Sequence, residues 1–187
     1  MKNGDEIHMI SDIVCEYLVK RKLSPTELGQ AAGVAGLGLL LTWFFRSVGV
    51  LIDRTGMMSL LLFLVGAGLT VFFVRMALMV EYEYTIVNGE MTVDRIRAQS
   101  SRKSLLDLNV KHIEKMGKYN PAAVTALGKV KVLDYSADKA DPDTYYAFYK
   151  DEKTNVNTVL LFTANQKMLD ALKASVSATV YREAFRK

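Results

Sequence analysis

The sequence predicts a hairpin of two apolar helices followed by a mainly β domain, and two observations predict that fold class. Two long runs, 28–45 and 55–74, contain no charged residue. Beyond residue 80 the apolar residues alternate with polar ones, which is the period of a half-buried strand. The overall composition, 50% hydrophobic and 24% charged, hides this division because it averages two unlike halves.

Each apolar run is long enough to cross a membrane. The runs contain 18 and 20 residues, and a hydrocarbon core about 30 Å thick takes roughly 20 residues of helix. We expect spans at about 28–47 and 55–77, within a transmembrane hairpin over 28–80. The connection, from Arg46 to Gly56 at most, is short, so the two helices must be antiparallel neighbours.

Small residues recur along both predicted spans at intervals that place them on one helix face. Such faces let backbones approach closely where lipid provides no hydrophobic drive for helix association. The predicted helix-packing positions are Gly29, Gly33, Gly36, Gly66 and Gly68. Packing within the hairpin and formation of a homo-oligomer both fit this spacing, although a GxxxG-type motif by itself is weak.

Basic and aromatic residues flank the predicted spans. Long basic side chains reach lipid headgroups from span ends, and tryptophan favours the membrane–water interface. We therefore predict membrane-interface roles for Lys20, Arg21, Lys22, Trp43, Arg46 and Arg75. The excess of basic residues before the first span and after the second predicts a multi-pass protein of the cell membrane with both termini in the cytoplasm.

Residues 1–24 form a separate N-terminal segment in this interpretation. A short amphipathic helix is predicted there, because apolar residues recur at helical spacing at Ile7, Ile10, Val14, Tyr17 and Leu18. Ser24 is expected to cap the next helix, with Pro25 in its first turn. Cys15 is the single cysteine of the chain, which excludes an intramolecular disulfide.

Residues 81–187 predict one domain of seven short strands and one C-terminal helix. The strands are expected around 82–86, 91–96, 104–108, 110–116, 130–135, 145–149 and 156–162. Asn88-Gly89 is a strong signal for a tight hairpin turn. The last helix has an apolar face formed by Leu169, Leu172, Val176 and Val180. A seven-stranded antiparallel barrel or sandwich capped by one helix is the order of a pleckstrin-homology-like (PH-like) domain.

Several segments of the chain resemble a family of small two-span bacterial membrane proteins that carry a PH-like domain and are described as a domain of unknown function. These segments are Glu16-Tyr17-Leu18-Val19-Lys20-Arg21-Lys22, Val80-Glu81-Tyr82-Glu83-Tyr84, Asn88-Gly89-Glu90 and Lys167-Met168-Leu169. The resemblance implies membrane anchoring and a binding-type domain. It implies neither an activity nor any site residue.

No arrangement of residues in the sequence indicates a reaction. The two histidines, His8 and His112, lie far apart, and a single cysteine makes no His/Cys metal site. The sequence contains neither a Gly-x-Ser-x-Gly elbow nor a phosphate-binding loop. Positive and negative charges are interleaved rather than clustered, which argues against nucleic acid. We therefore expect no enzymatic activity, no cofactor and no metal.

Five tyrosines allow two interpretations. They either form an aromatic binding surface or, as is commoner at strand spacing, pack in the core and at sheet edges. These residues are Tyr82, Tyr84, Tyr145, Tyr146 and Tyr149.

The sequence favours a non-enzymatic, membrane-anchored binding or scaffold protein. Its C-terminal domain would offer an edge strand or loop to a protein partner at the cytoplasmic face. One alternative is an accessory or regulatory subunit of a transporter or channel that acts through the hairpin, and another is a lipid-sensing module. The sequence does not determine the partner, the ligand or the process, because one fold hosts many tasks.

Overall fold

The computed structural model describes residues 14–52 and 55–184, which form eight strands and five α-helices. In chain order these are β1 (Val14–Lys20), α1 (Pro25–Ile52), α2 (Met57–Leu78), β2 (Val80–Val87), β3 (Glu90–Arg97), β4 (Ser101–Asn109), β5 (Ile113–Lys118), α3 (Pro121–Thr125), β6 (Lys131–Asp134), β7 (Thr144–Lys150), β8 (Asn157–Thr163), α4 (Gln166–Ser175) and α5 (Ala178–Ala184). A short 3₁₀ turn, Val110–His112, joins β4 to β5.

The chain divides into two compact units. The hairpin unit comprises residues 19–82 and 95–103, and it contains α1 and α2. The β unit comprises the described residues of 1–18 and 104–187, together with 83–94. The predicted segments 1–24, 28–80 and 81–187 remain a prediction of domain organisation.

A capping box begins α1. The Ser24 hydroxyl accepts a hydrogen bond from the Glu27 amide at 3.3 Å, and the Ser24 amide donates to the Glu27 carboxylate at 2.9 Å. Pro25 then fits the first turn, where a helix needs no amide donor. The helix continues through Arg46 to Ile52. The connection therefore lies within the predicted limit of Arg46 to Gly56, and most of that range is the last part of α1.

Two glycines of α1 and one of α2 set the distance between the two helices. A Cβ on Gly38 would lie 2.5 Å from the Thr70 side chain, and one on Gly66 would lie 3.0 Å from the Thr42 Cα. A Cβ on Gly49 would collide with the backbone of Ser59. We call these three glycines and three hydroxyl residues the seam.

The hydroxyls of the seam bond across the hairpin. The hydroxyl oxygens of Thr42 and Thr70 lie 3.2 Å apart, and each hydroxyl bonds at 2.8 Å to a carbonyl of its own helix. The Ser59 hydroxyl donates to the Arg46 carbonyl oxygen on the other helix at 3.2 Å. Close packing and hydrogen bonds of this kind associate helices where lipid supplies no hydrophobic drive.

The outer surface of α1 and α2 is apolar and exposed. Both helices are long and apolar enough to cross a membrane. In each helix, only 11% of the apolar 18-residue stretch that meets this criterion is buried. Leu51 is 85% exposed and Trp43 is 70% exposed. Patches of this size on a soluble protein promote association. The two helices therefore fit a two-span membrane protein, as the sequence predicts.

The strands form two four-stranded sheets with the orders β1-β2-β3-β4 and β5-β7-β8-β6. In the second sheet β7 is antiparallel to β5 and β8, whereas β6 runs parallel to β8. The seven strands predicted for residues 81–187 are β2 to β8, and β1 is an eighth strand from outside that range, so a seven-stranded fold is not confirmed. The prediction that all strands are antiparallel is wrong. The predicted strand at 110–116 begins as the 3₁₀ turn and continues as β5.

The eighth strand, β1, lies where the sequence predicts an amphipathic helix. Cys15 and Val19 are buried and Tyr17 is half-buried, whereas Glu16, Leu18 and Lys20 are exposed, which is the period of a strand. The helix prediction is wrong for 14–20, because β1 takes its place beside β2 in the first sheet. Ile7 and Ile10, which the same prediction used, lie outside the described residues.

The predicted apolar face of the C-terminal helix is confirmed, but the helix is two helices. The side-chain oxygen of Asn165 accepts from the Met168 amide at 2.9 Å and caps α4. Val176 then leaves the helical conformation, with φ −79° and ψ 158°. The Ser177 hydroxyl accepts from the Val180 amide at 3.3 Å where α5 starts. All four predicted apolar positions are buried: Leu169, Leu172, Val176 and Val180.

Four of the five tyrosines discussed above are buried. Tyr82, Tyr84, Tyr145 and Tyr149 are each at most 4% exposed, and Tyr146 is half-buried. The core-packing interpretation is therefore confirmed for these four residues. An aromatic binding surface formed by all five is excluded.

Candidate functional site

A cleft of about 350 Å³ opens in the β unit between β4 and β6. Each of these two strands is the last strand of its sheet. The outer edge of each strand therefore has backbone amide and carbonyl groups without a strand partner in its own sheet. The cleft is lined by the Ser104–Asn109 part of β4, His112, Lys131, Leu133, Tyr135, and residues 149–153.

The inner wall of the cleft is apolar and aromatic. Tyr149 is 3% exposed and Leu108 is 6% exposed. Burial raises the pKa of Tyr149 to about 12, and the negative charge of Asp151 and the neighbouring Tyr135 add to the effect. The Tyr149 phenol is therefore neutral across the physiological range. The wall can pack against an apolar side chain.

The mouth of the cleft is polar and its charges are mixed. Four basic or imidazole groups, from His112, Lys131, Lys150 and Lys153, accompany three carboxylates, from Asp107, Asp151 and Glu152. His112 Nδ1 lies 3.3 Å from Glu152 Oε1. A mouth with both signs of charge does not match a multiply charged anion. It fits a chain with alternating apolar and polar side chains.

One aspartate organises the loop between β7 and β8 at the edge of the cleft. The Asp151 carboxylate accepts from the Lys153 amide at 2.9 Å and from the Thr154 hydroxyl at 2.8 Å. The Thr154 hydroxyl, followed by the Lys153 amide, lowers the pKa of this carboxyl. The Asp151 amide also donates to the Val156 carbonyl at 3.0 Å. The loop is thus held by its own hydrogen bonds.

The cleft was not named from the sequence as a site. Its strands were expected, but the lining comes from segments up to 49 residues apart, Ser104 to Lys153. The sequence predicted only that an edge strand or a loop would be available to a protein partner, without naming β4 or β6. No local motif marks the lining residues, so sequence reasoning had no signal with which to bring them together.

The predicted helix-packing glycines divide into two groups. Gly66 lies at the contact between α1 and α2. A Cβ built on any of the other four would meet no described atom within 4 Å, which places Gly29, Gly33, Gly36 and Gly68 outside that contact. Gly38 and Gly49 were missed, although hydroxyl residues at helical spacing on the facing helix were a usable signal.

The predicted membrane-interface residues have different surroundings. Lys20, Lys22 and Arg75 are exposed. Trp43 and Arg46 are also exposed, but they lie within α1, which continues to Ile52. The interface role of these residues remains a prediction.

Arg21, the sixth predicted interface residue, is bound to protein groups. Its guanidinium lies 3.0 Å from the Glu27 carboxylate and donates to the Tyr82 hydroxyl at 2.6 Å. The same guanidinium lies 5.8 Å from the centre of the Tyr82 ring. Arg21 therefore ties the start of α1 to β2 within the hairpin unit.

Side chains that could bind a metal ion do not cluster in the described part of the chain. Among residues 14–52 and 55–184, no three His, Cys, Asp or Glu side chains come together in a way that could hold a metal ion. At the cleft, the Asp151 carboxylate accepts from the Lys153 amide and the Thr154 hydroxyl, and the Glu152 carboxylate lies beside His112.

Comparison with known proteins identifies a family. Residues 11–182 match the family described as bacterial PH-like domain (DUF6106). No curated protein and no solved structure matches the chain. The matched range contains β1 to β8 and also α1 and α2. The two apolar helices are therefore part of the sequence that defines the family, placed between its first two strands.

Proposed function

We propose, from the premise that this chain belongs to the bacterial PH-like domain family DUF6106, that it is a non-enzymatic, membrane-anchored binding protein. The helices α1 and α2 anchor it in the cell membrane, with both termini in the cytoplasm. The β unit binds a protein partner through the cleft between β4 and β6. The observation that carries the proposal is this cleft, which lies between two strands that each end a sheet.

An extended peptide is the ligand that such a cleft fits. A strand that pairs with the outer edge of β4 or β6 forms main-chain hydrogen bonds, which supply affinity. Alternate side chains of that peptide then point into the cleft, where Tyr149 and Leu108 form an apolar wall. The lysines and carboxylates at the mouth select the polar side chains between them.

The charge pattern along β4 supports a docking edge over its second half. Natural proteins protect exposed edges with charged residues, lysine above all. The first half of β4 carries Arg102 and Lys103, whereas residues 104–108 carry one charge, that of Asp107. The second half is the part that lines the cleft. Membrane anchoring raises the effective concentration of such a weak contact at the membrane surface.

The non-enzymatic part of the proposal rests on the sequence. It contains one cysteine and two histidines far apart in the chain, and it has no nucleophile elbow or phosphate-binding loop.

A second candidate function is that of an accessory subunit of a transporter or channel. One observation favours it: Gly29, Gly33 and Gly36 lie on the open side of α1, where a Cβ would meet no described atom. A helix of another protein, or of a second copy, is able to approach closely along such a face.

Photocrosslinking in native membranes separates these candidates. A photoreactive residue replaces Asp107 on β4, Gly33 on α1, or Glu114 on β5, the opposite edge of the second sheet. The proposed function expects capture of one distinct protein from position 107 and none from position 114. Equal capture from 107 and 114 contradicts a role for the cleft, and capture from position 33 alone favours the accessory subunit.

A further inference from the structure

A furrow along α2 in the hairpin unit ends at a cation. Its walls enclose about 330 Å³ and are formed by Gly68, Val71, Phe72, Arg75, Ala98 and Ser100. Residues 68, 72 and 75 follow helical spacing and share one helix face. A Cβ on Gly68 would meet no described atom within 4 Å. Val71 and Phe72 are each more than half exposed. The furrow therefore runs from a notch at Gly68, past apolar side chains, to a guanidinium.

Arg75 is an exposed arginine in the last turn of α2. No acidic side chain of the described residues lies within ion-pair distance of its guanidinium. Arg21, by contrast, is matched by Glu27 at 3.0 Å. A guanidinium near the end of an apolar helix favours a phosphate, because its planar fork forms two parallel hydrogen bonds to one anion.

The polar end of the furrow is held in place by the turn between β3 and β4. The Ala98 amide donates to the Met79 carbonyl, just beyond α2, at 2.9 Å. Ala98 and Gln99 both have positive φ, 47° and 58°, a conformation that costs free energy in residues other than glycine. This strained turn puts Ala98 and Ser100 beside Arg75.

The charge of this part of the hairpin unit is strongly positive. Eight basic side chains lie in the hairpin unit's parts of β1 to β4, in the link after β1, or in the last turn of α2. They are Lys20, Arg21, Lys22, Arg75, Arg95, Arg97, Arg102 and Lys103. Glu81 is the acidic residue in the same part, and Glu27 lies just beyond the link, in the first turn of α1. Basic clusters beside a membrane helix attract anionic lipids.

We propose that this furrow binds one anionic phospholipid. The phosphate sits on Arg75, and an acyl chain lies along Val71 and Phe72 in the notch left by Gly68. The inference rests on the membrane anchoring in the proposed function and not on the cleft of the β unit. It adds a lipid-binding site to the anchor itself.

The test uses the full chain, purified in detergent, stripped of lipid, and titrated with phosphatidylglycerol or phosphatidylcholine. Native mass spectrometry counts the lipids that stay bound. We expect one tightly held phosphatidylglycerol, with at least a tenfold preference over phosphatidylcholine. Arg75→Gln is expected to reduce its affinity about tenfold. Gly68→Leu, which fills the notch, is expected to reduce it as well.

Arg46→Gln is the matched control, because Arg46 is also an exposed arginine on an apolar helix but does not line the furrow. Equal binding of the two lipids by the wild type overturns the proposal, as does an equal loss in Arg75→Gln and Arg46→Gln. Unchanged affinity in Gly68→Leu overturns the placement of the acyl chain. Membrane anchoring is tested separately by extraction of native membranes with sodium carbonate. Release of the protein by this treatment disproves the membrane anchor, whatever the lipid titration shows.

Discussion

At the scale of single residues, Tyr84 connects its own strand, β2, to β8 and to the residue that follows β6. Its hydroxyl donates to the Tyr135 carbonyl at 2.5 Å and accepts from the Thr163 amide at 3.4 Å. Its ring, 1% exposed, lies 6.4 Å from those of Tyr17 and Phe162. One side chain thus joins β2 of the first sheet to β8 and to the residue that follows β6.

Replacing Tyr84 with phenylalanine should lower the free energy of unfolding by about 1–3 kcal/mol. The ring packing is kept, but the part-buried Tyr135 carbonyl and the buried Thr163 amide lose their hydrogen bond to the phenol, and such losses are the costly part of removing a hydrogen bond. Urea unfolding in micelles, followed by the near-ultraviolet circular dichroism of the tyrosines, measures the change. Tyr146→Phe, at a half-buried tyrosine, is the control, and an equal effect of both variants would contradict this role.

Tyr149 predicts a loss of stability at alkaline pH. Its folded pKa is about 12, against an ordinary value of 10, so the folded state holds the phenolic proton more tightly than the unfolded state. The stabilisation is fully present below pH 10 and is lost as the pH rises through about 12. A shift of this size corresponds to about 3 kcal/mol.

The variant Tyr149→Phe should therefore reduce the difference in stability between pH 9 and pH 12. Urea unfolding of both proteins at several pH values measures this slope. Parallel pH profiles of wild type and variant would show that Tyr149 is not the titrating group.

At the scale of elements, the seam decides how α1 and α2 pack. Gly66→Leu should lower the melting temperature of the purified hairpin in detergent micelles. The new side chain would meet the Thr42 Cα and the Phe45 ring, which lie 3.0 and 3.3 Å from a Cβ at that position. Overpacking of this kind costs about 1–3 kcal/mol.

Gly33→Leu is the matched control for the seam, because a Cβ there meets no described atom. We expect its melting temperature to stay close to that of the wild type. A drop as large as that of Gly66→Leu would mean that Gly33 packs against something other than the described hairpin. Light scattering of the variant would then show whether that something is a second copy.

A substitution on β4 tests the proposed binding of a partner at the edge of this strand. Leu106→Lys places a charged side chain in the lining of the cleft and protects the edge as natural proteins do. With the photoreactive residue at Lys131 on β6, we expect the yield of captured partner to fall at least tenfold. Glu114→Lys on β5 should leave the yield unchanged, and equal yields in both variants would exclude pairing at β4.

At the scale of the whole molecule, the hairpin is inserted between two neighbouring strands of one sheet. The chain leaves β1 at Lys20 and returns in β2 at Val80, and the Arg21 amide donates to the Val80 carbonyl at 3.0 Å. A short turn is thus enough to join the two strands. The exposed apolar area belongs to the inserted helices.

Replacing residues 23–78 with a short Asn-Gly turn should therefore give a protein that stays soluble without detergent and keeps its β-sheet signal. Size-exclusion chromatography and far-ultraviolet circular dichroism measure the two properties, with the full chain in micelles as the reference. An aggregated or unfolded product would show that the strands need the helices in order to fold.

Much of the fold could be predicted because its signals are local. The two charge-free runs fix the apolar helices, since length and composition within one segment decide whether a helix suits a membrane. Asn88-Gly89 marks the turn between β2 and β3, and its positive φ values, 51° and 86°, are those such a turn requires. The buried face of α4 likewise follows from spacing within one helix.

Only the tertiary structure decided the features that depend on partners distant in sequence. The stretch Val14–Lys20 carries both a helical and a strand period, and its place beside β2 selects the strand. The glycines of both spans look alike in sequence, and the facing helix decides that Gly38, Gly49 and Gly66 are the contacts. Whether β6 pairs parallel to β8, and which side chains line the cleft, are non-local choices that no single segment encodes.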